Sequence, residues 1–115
     1  MRKVYAVLDD LFFLVKIQQG ARQAGAQVVQ LATAEAVRAK AGEAADCYLF
    51  DLNCAATRPM ESIAWLRAQG FAGRVIGFHS HVQVELKGAA IEAGCDEVYA
   101  RSAMSDRMAR ILGGN

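Results

Sequence analysis

Short apolar runs along this chain alternate with longer stretches in which apolar residues recur every three or four positions. Residues 3–8 (KVYAVL) are β-branched and aromatic, which predicts a buried strand running into Asp9 and Asp10. Over 11–24, Leu14, Ile17, Ala21 and Ala24 keep helical spacing, Lys16, Gln19 and Arg22 take the other side, and Gly25 supplies a stop. Residues 27–31 predict a short valine-rich strand, Thr33 caps a helix over 34–41, and Gly42 ends it. The run Cys47-Tyr48-Leu49-Phe50 is bounded by acids and reads as a strand buried on both faces of a parallel sheet, with Asp51 where it stops. After a loop, Pro59 opens a helix to Gln69 that turns Met60, Ile63 and Leu66 inward, and Gly70 caps it. Residues 74–78 (RVIGF) predict a fourth strand ending at His79-Ser80-His81, then a helix over 83–93 closing at Gly94. Residues 97–100 predict a fifth strand ending at Arg101. Ser102 caps a last helix with Met104, Met108, Ile111 and Leu112 on one face, and residues 113–115 fray. Strands alternating with helices imply right-handed crossovers, so the expectation is one α/β domain over 1–115: a doubly wound, five-stranded parallel sheet, flavodoxin-like, with helices on both faces.

Composition narrows the function classes. With 54% hydrophobic and 22% charged residues, a chain of 115 residues can bury a core and is not a disordered tail. A net charge of +1 with scattered Lys and Arg leaves no electrostatic footprint for nucleic acid or an anionic membrane. No apolar run approaches the ~20 residues that cross a bilayer, and no apolar signal segment precedes the first strand, so the expected location is the cytoplasm. Cys47, Cys54 and Cys95 lack CxxC or metal-ligand spacing and read as small buried hydrophobes.

The chemistry gathers where strands end. Ligands of open α/β sheets bind outside the carboxyl ends of the strands, and right-handed winding brings Asp9, Asp10, Asp51, His79, Ser80 and Arg101 to that edge. Crowded carboxylates resist ionising together unless a hard cation such as Mg²⁺ takes their oxygens. Such an ion and Arg101 would stabilise charge on a phosphoryl group attacked by one of the carboxylates. The plainer readings are solvated strand-end acids neutralised by Arg101 as a structural ion pair. A transition-metal site of His79, His81 and Asp51 rests only on a two-residue spacing, and a Cys54 nucleophile lacks a base at identifiable spacing. No GxGxxG, GxxxxGK or GxSxG occurs where a strand meets a helix.

The VLDD ending of the first strand, the FDLN around Asp51, the segment AAIEAGCDEVYARS and the fivefold β-α order together resemble the receiver domain of bacterial two-component response regulators, over nearly the whole chain. The resemblance implies a phosphorelay module in which Asp51 accepts a phosphoryl group from a histidine kinase or phosphotransfer protein. It also implies that Asp9, Asp10 and Asp51 hold Mg²⁺ and that Asn53 adds its backbone carbonyl. A domain of this kind is a signalling module and not an enzyme beyond assisting its own phosphotransfer. It acts on a downstream protein partner, and its fourth helix, fifth strand and fifth helix are the expected binding face, available for homodimerisation.

Several positions depart from the family pattern. A Thr or Ser usually ends the fourth strand, and His79 stands there, 22 residues before Arg101. An imidazole can donate one hydrogen bond but is far bulkier than a hydroxyl, and Ser80 could replace it only if the strand end slipped by one residue. The usual Lys-Pro is Arg101-Ser102, which keeps the charge and changes its geometry to a planar fork. The loop after the acceptor reads Cys54-Ala55-Ala56-Thr57-Arg58, and Val98 stands for the usual aromatic, with Tyr99 on the opposite face. The alternative reading is therefore a phosphorylation-independent pseudo-receiver that acts as a protein-binding module.

Overall fold

The computed structural model describes residues 2–40, 42–80 and 84–113, and in it the apolar runs pair side by side into one parallel sheet. β1 (Arg2–Val7), β2 (Ala26–Leu31), β3 (Cys47–Asp51), β4 (Arg74–His79) and β5 (Glu97–Ala100) stand in the order β2-β1-β3-β4-β5. β3 lies at the centre and all five of its residues are buried, which is why its first four, Cys47 to Phe50, form an unbroken apolar run. Val7 pairs with Phe50, and Asp51 pairs with Phe78, so these strands finish level at their carboxyl ends.

The two-residue strand period divides the core into two layers. Cys47 and Leu49 join Val4, Ala6, Ile76 and Phe78 beneath α1 (Leu11–Gln23), α5 (Arg101–Asp106) and α6 (Met108–Leu112). Tyr48 and Phe50 join Tyr5, Val7 and Val75 beneath α2 (Ala34–Ala39), α3 (Pro59–Ala68) and α4 (Val84–Ala93). Asp51 shares the parity of Cys47 and Leu49, which places it on the α1 and α5 side of the sheet.

Most predicted elements stand within a residue or two of their expected bounds. β3 and β4 each run one residue further, taking Asp51 and His79 into the sheet, whereas β1 stops before Leu8. The Thr33 hydroxyl caps α2, accepting from the Ala36 N–H at 3.1 Å. Met60 is only half-buried against the layer that buries Ile63 and Leu66. The predicted loop after β3 contains a 3-10 turn, Ala55–Thr57. The last helix differs more. Helical structure begins at Arg101, so Ser102 lies inside the first turn and does not cap it, and the helix breaks at Arg107, where the backbone turns to φ −119. The apolar spacing continues across the break, and Met104, Met108, Ile111 and Leu112 are all buried. Met108 packs over Gly20 of α1, where an added Cβ would stand 2.2 Å from the Met108 Cγ. The predicted end of the second helix at residue 41, the predicted start of the fourth at 83, His81 and residues 114–115 lie outside the described residues.

At the edge of the sheet away from the strands' carboxyl ends, one side chain ties the layers together. Arg67 donates to the carbonyls of Gly94 (3.0 Å), Phe71 (2.9 Å) and Gly73 (2.8 Å) and to the Asp96 carboxylate (2.9 Å). The planar guanidinium meets four acceptors at once, a set that an ammonium could not match. Among the described residues no helix is long and apolar enough to cross a membrane.

Candidate functional site

Asp51 closes the central strand, and its residue is 7% exposed. One carboxylate oxygen, Oδ1, accepts the Asn53 N–H at 2.9 Å. Burial raises its pKa above the usual carboxylate value. The Asn53 N–H and the charge of Arg101 act against that shift, and the charges of Asp10 and Asp9 add to it. Asp10 has the opposite environment. Its Oδ1 accepts the Phe13 N–H at 3.1 Å and caps α1, and its Oδ2 accepts from Arg101 Nη2 at 2.7 Å. The Phe13 N–H, and then Arg101, hold its pKa below the ordinary range. Asp9 beside it is exposed.

The remaining groups close the rim. The Asn53 side-chain oxygen accepts the Ser80 N–H at 2.7 Å, which ties the loop after β3 to the end of β4. Arg101 lies over the Phe13 ring at 4.1 Å, so its guanidinium is positioned by a stacking contact as well as by Asp10. His79 ends β4 half-buried, and its Nδ1 is buried with no hydrogen-bond partner among the described residues. Thus Asp9, Asp10, Asp51, Asn53, His79, Ser80 and Arg101 share one sheet edge. Arg101 is bonded to Asp10 and not to Asp51, and Ser80 engages through its backbone N–H. Sequence reasoning missed the capping role of Asp10 and the platform made by Phe13. An Asp immediately before a helix carrying a buried aromatic at its third position is the signal that could have shown both.

The oxygen-rich donor set suits a hard dication, which takes one or two carboxylates, a carbonyl and water. Asp9, Asp51 and the Asn53 carbonyl would supply such donors, with Asp10, whose Oδ2 now accepts from Arg101, beside them. Among the described residues no three His, Cys, Asp or Glu side chains are grouped so that they could hold a metal ion, and His81 lies outside those residues. The cysteines are free and buried, and burial pushes the thiols of Cys47 and Cys95 up to about 12.

The opposed environments of the two acids fix the sign of a pH effect. Asp51 has a raised folded pKa, so its contribution to stability is lost as pH rises through that value. Asp51→Asn is therefore expected to melt higher than the wild type at pH 7, with the gap closing in acid. Equal melting temperatures at neutral pH would show that the carboxylate is not destabilised by burial.

No protein-family model and no curated protein sequence matches the chain. Solved structures do match it. A response regulator receiver domain protein (CheY-like) from Methanospirillum hungatei superposes with a TM-score of 0.82 at 19% identity, covering 99% of this chain and 95% of that one. The receiver domain of the putative response regulator NarL from Mycobacterium tuberculosis gives 0.85 at 15%, covering 96% and 92%. A response regulator from Burkholderia pseudomallei, solved with a phosphorylated aspartic acid, a calcium ion and citrate, gives 0.76 at 16%, covering 99% of this chain and 72% of that one. The chain has the fold of response regulator receiver domains.

Proposed function

On that fold, we propose that the chain is a response-regulator-type signalling module of the cytoplasm. It accepts a phosphoryl group on Asp51 from a histidine kinase or phosphotransfer protein and passes the signal on by protein contact. The observation that carries this reading is the secluded Asp51 carboxylate at the end of the central strand, with Asp9, Asp10 and Arg101 beside it. With Oδ1 held by the Asn53 N–H, the other oxygen is the nucleophile. Its attack on phosphorus forms the acyl phosphate and breaks the bond to the donor imidazole, which leaves neutral because its other ring nitrogen carries a proton. Arg101, now on Asp10, is the cation available to the transferred oxygens. Mg²⁺ would be held by Asp9, Asp51, the Asn53 carbonyl and a released Asp10, and would neutralise charge on the phosphoryl group. The output face is α4, β5 and α5, where α4 leaves Val84 82% and Ile91 50% exposed.

The test is incubation with acetyl phosphate and Mg²⁺ followed by intact mass. Wild type should gain one phosphoryl group and Asp51→Asn none. If neither gains mass, the second reading takes over: a phosphorylation-independent module that binds its partner constitutively. That reading is favoured by the imidazole of His79 where a small hydroxyl would couple the acceptor to the output face.

A further inference from the structure

A cleft of about 530 Å³ between α1 and α5 lies beside the acid pocket without including any of its acids. Its walls carry Lys16, Arg101, Ser102, Ser105 and Asp106, with His79 and Phe13 at the inner end. A second depression of about 680 Å³ between α1 and α6 shares Lys16, Ser105 and Asp106 with the first and adds Gln19, Gln23, Arg107 and Arg110. Both volumes fall within the ~300–1,000 Å³ typical of small-molecule sites.

Charge distinguishes this groove from the rest of the molecule. The whole chain carries a net charge of only +1, yet four cations stand here against one acid, Asp106. Lys16, Arg107 and Arg110 make no ion pair among the described residues, whereas Arg101 is already paired with Asp10, which stands outside the groove. Unneutralised like charges raise the energy of the compact state, and an anion laid among them removes that repulsion. The cations are divided between the two depressions, Arg101 in the first, Arg107 and Arg110 in the second and Lys16 in both. Cations spread over two adjoining depressions suit a chain of phosphates better than a single phosphate ion. Arg forks, an ammonium and Ser hydroxyls are the donors that oligophosphate oxygens take.

We propose that the groove along α1, α5 and α6 is a binding site for a small oligophosphate anion. The groove shares Arg101, His79 and Ser80 with the site described above, but its test is separable from phosphorylation at Asp51, because neither that carboxylate nor a divalent ion enters it. Tripolyphosphate is titrated in EDTA and followed by amide NMR shifts. Saturable shifts are expected at Lys16, Ser102, Ser105 and Arg107. Lys16→Gln and Arg107→Gln should each weaken binding about tenfold, the loss of one charge-assisted hydrogen bond. Both side chains are exposed, so both variants keep the fold, which an unchanged amide spectrum without ligand verifies. The proposal is overturned by the absence of saturable shifts or by shifts centred on Asp9, Asp10 and Asp51. It is equally overturned by unchanged affinity in the double variant, or by sulfate binding as tightly as tripolyphosphate.

Discussion

Asp10→Ala is expected to lower stability by roughly 1–2 kcal/mol and to abolish the response to Mg²⁺ in the same molecule. The stability loss has two sources. Removing an Asp cap from a helix typically costs ~0.5–2 kcal/mol, and here the cap serves α1, the longest helix described. The ion pair with Arg101 adds less, because both side chains are about a third exposed, at 31% and 33%, and such pairs contribute ~1 kcal/mol at most. The folded pKa of Asp10 is depressed, so its contribution is present above the unfolded value and is lost as pH falls through the folded one. The variant should therefore lose less stability than wild type as the solution is acidified. Asp10→Ser separates the two roles: it keeps an oxygen to cap α1 and removes the charge that a dication needs. Melting curves read the first role and calorimetric Mg²⁺ titration the second. Should wild type and Asp10→Ala take up millimolar Mg²⁺ alike, the acid pocket is no metal site.

What could be read from the sequence follows from how much each feature depends on local pattern. The central strand and Asp51 were legible because a strand walled on both faces has to be apolar throughout and its end has to be polar. The break at Arg107 was not. Met104, Met108, Ile111 and Leu112 keep helical spacing across it, and the room that Met108 occupies is made by Gly20, far away in the chain. Ser102 is a residue type that caps helices, but α5 opens at Arg101 with Ala100 in the capping position and no side-chain bond. Asp10 was legible as a strand-end acid, and that reading hid its second use as the first residue of the next element. The basic groove was invisible for the same reason. Lys16 and Arg107 look scattered along the chain, and only the packing of α1 against α6 sets them side by side.

His79→Thr is expected to speed phosphorylation of Asp51 by acetyl phosphate about tenfold while leaving the fold at least as stable. The rate follows from one hydrogen bond. A hydroxyl at the end of β4 can donate to a phosphoryl oxygen, and hydrogen bonds to charged groups contribute ~1.5–3 kcal/mol, of which about 1.4 already gives a factor of ten. The Nδ1 of the imidazole now at this position is buried without a hydrogen-bond partner among the described residues. Leaving such an atom unsatisfied costs ~1–3 kcal/mol, and Thr removes it with a β-branched side chain suited to a strand. His79→Phe isolates the two effects, because it removes the orphaned nitrogen and offers no hydroxyl. It should match the stability of His79→Thr without the gain in rate. The same pair reports on coupling: the hydroxyl that reaches the phosphoryl group has to move inward, and that movement is what the α4-β5-α5 face can sense. Sedimentation of the phosphorylated proteins should then show a change of association in His79→Thr and none in wild type. A wild type that is phosphorylated as fast as His79→Thr, with the same change in association, would show that the imidazole already performs the task of the hydroxyl, and the pseudo-receiver reading would fall.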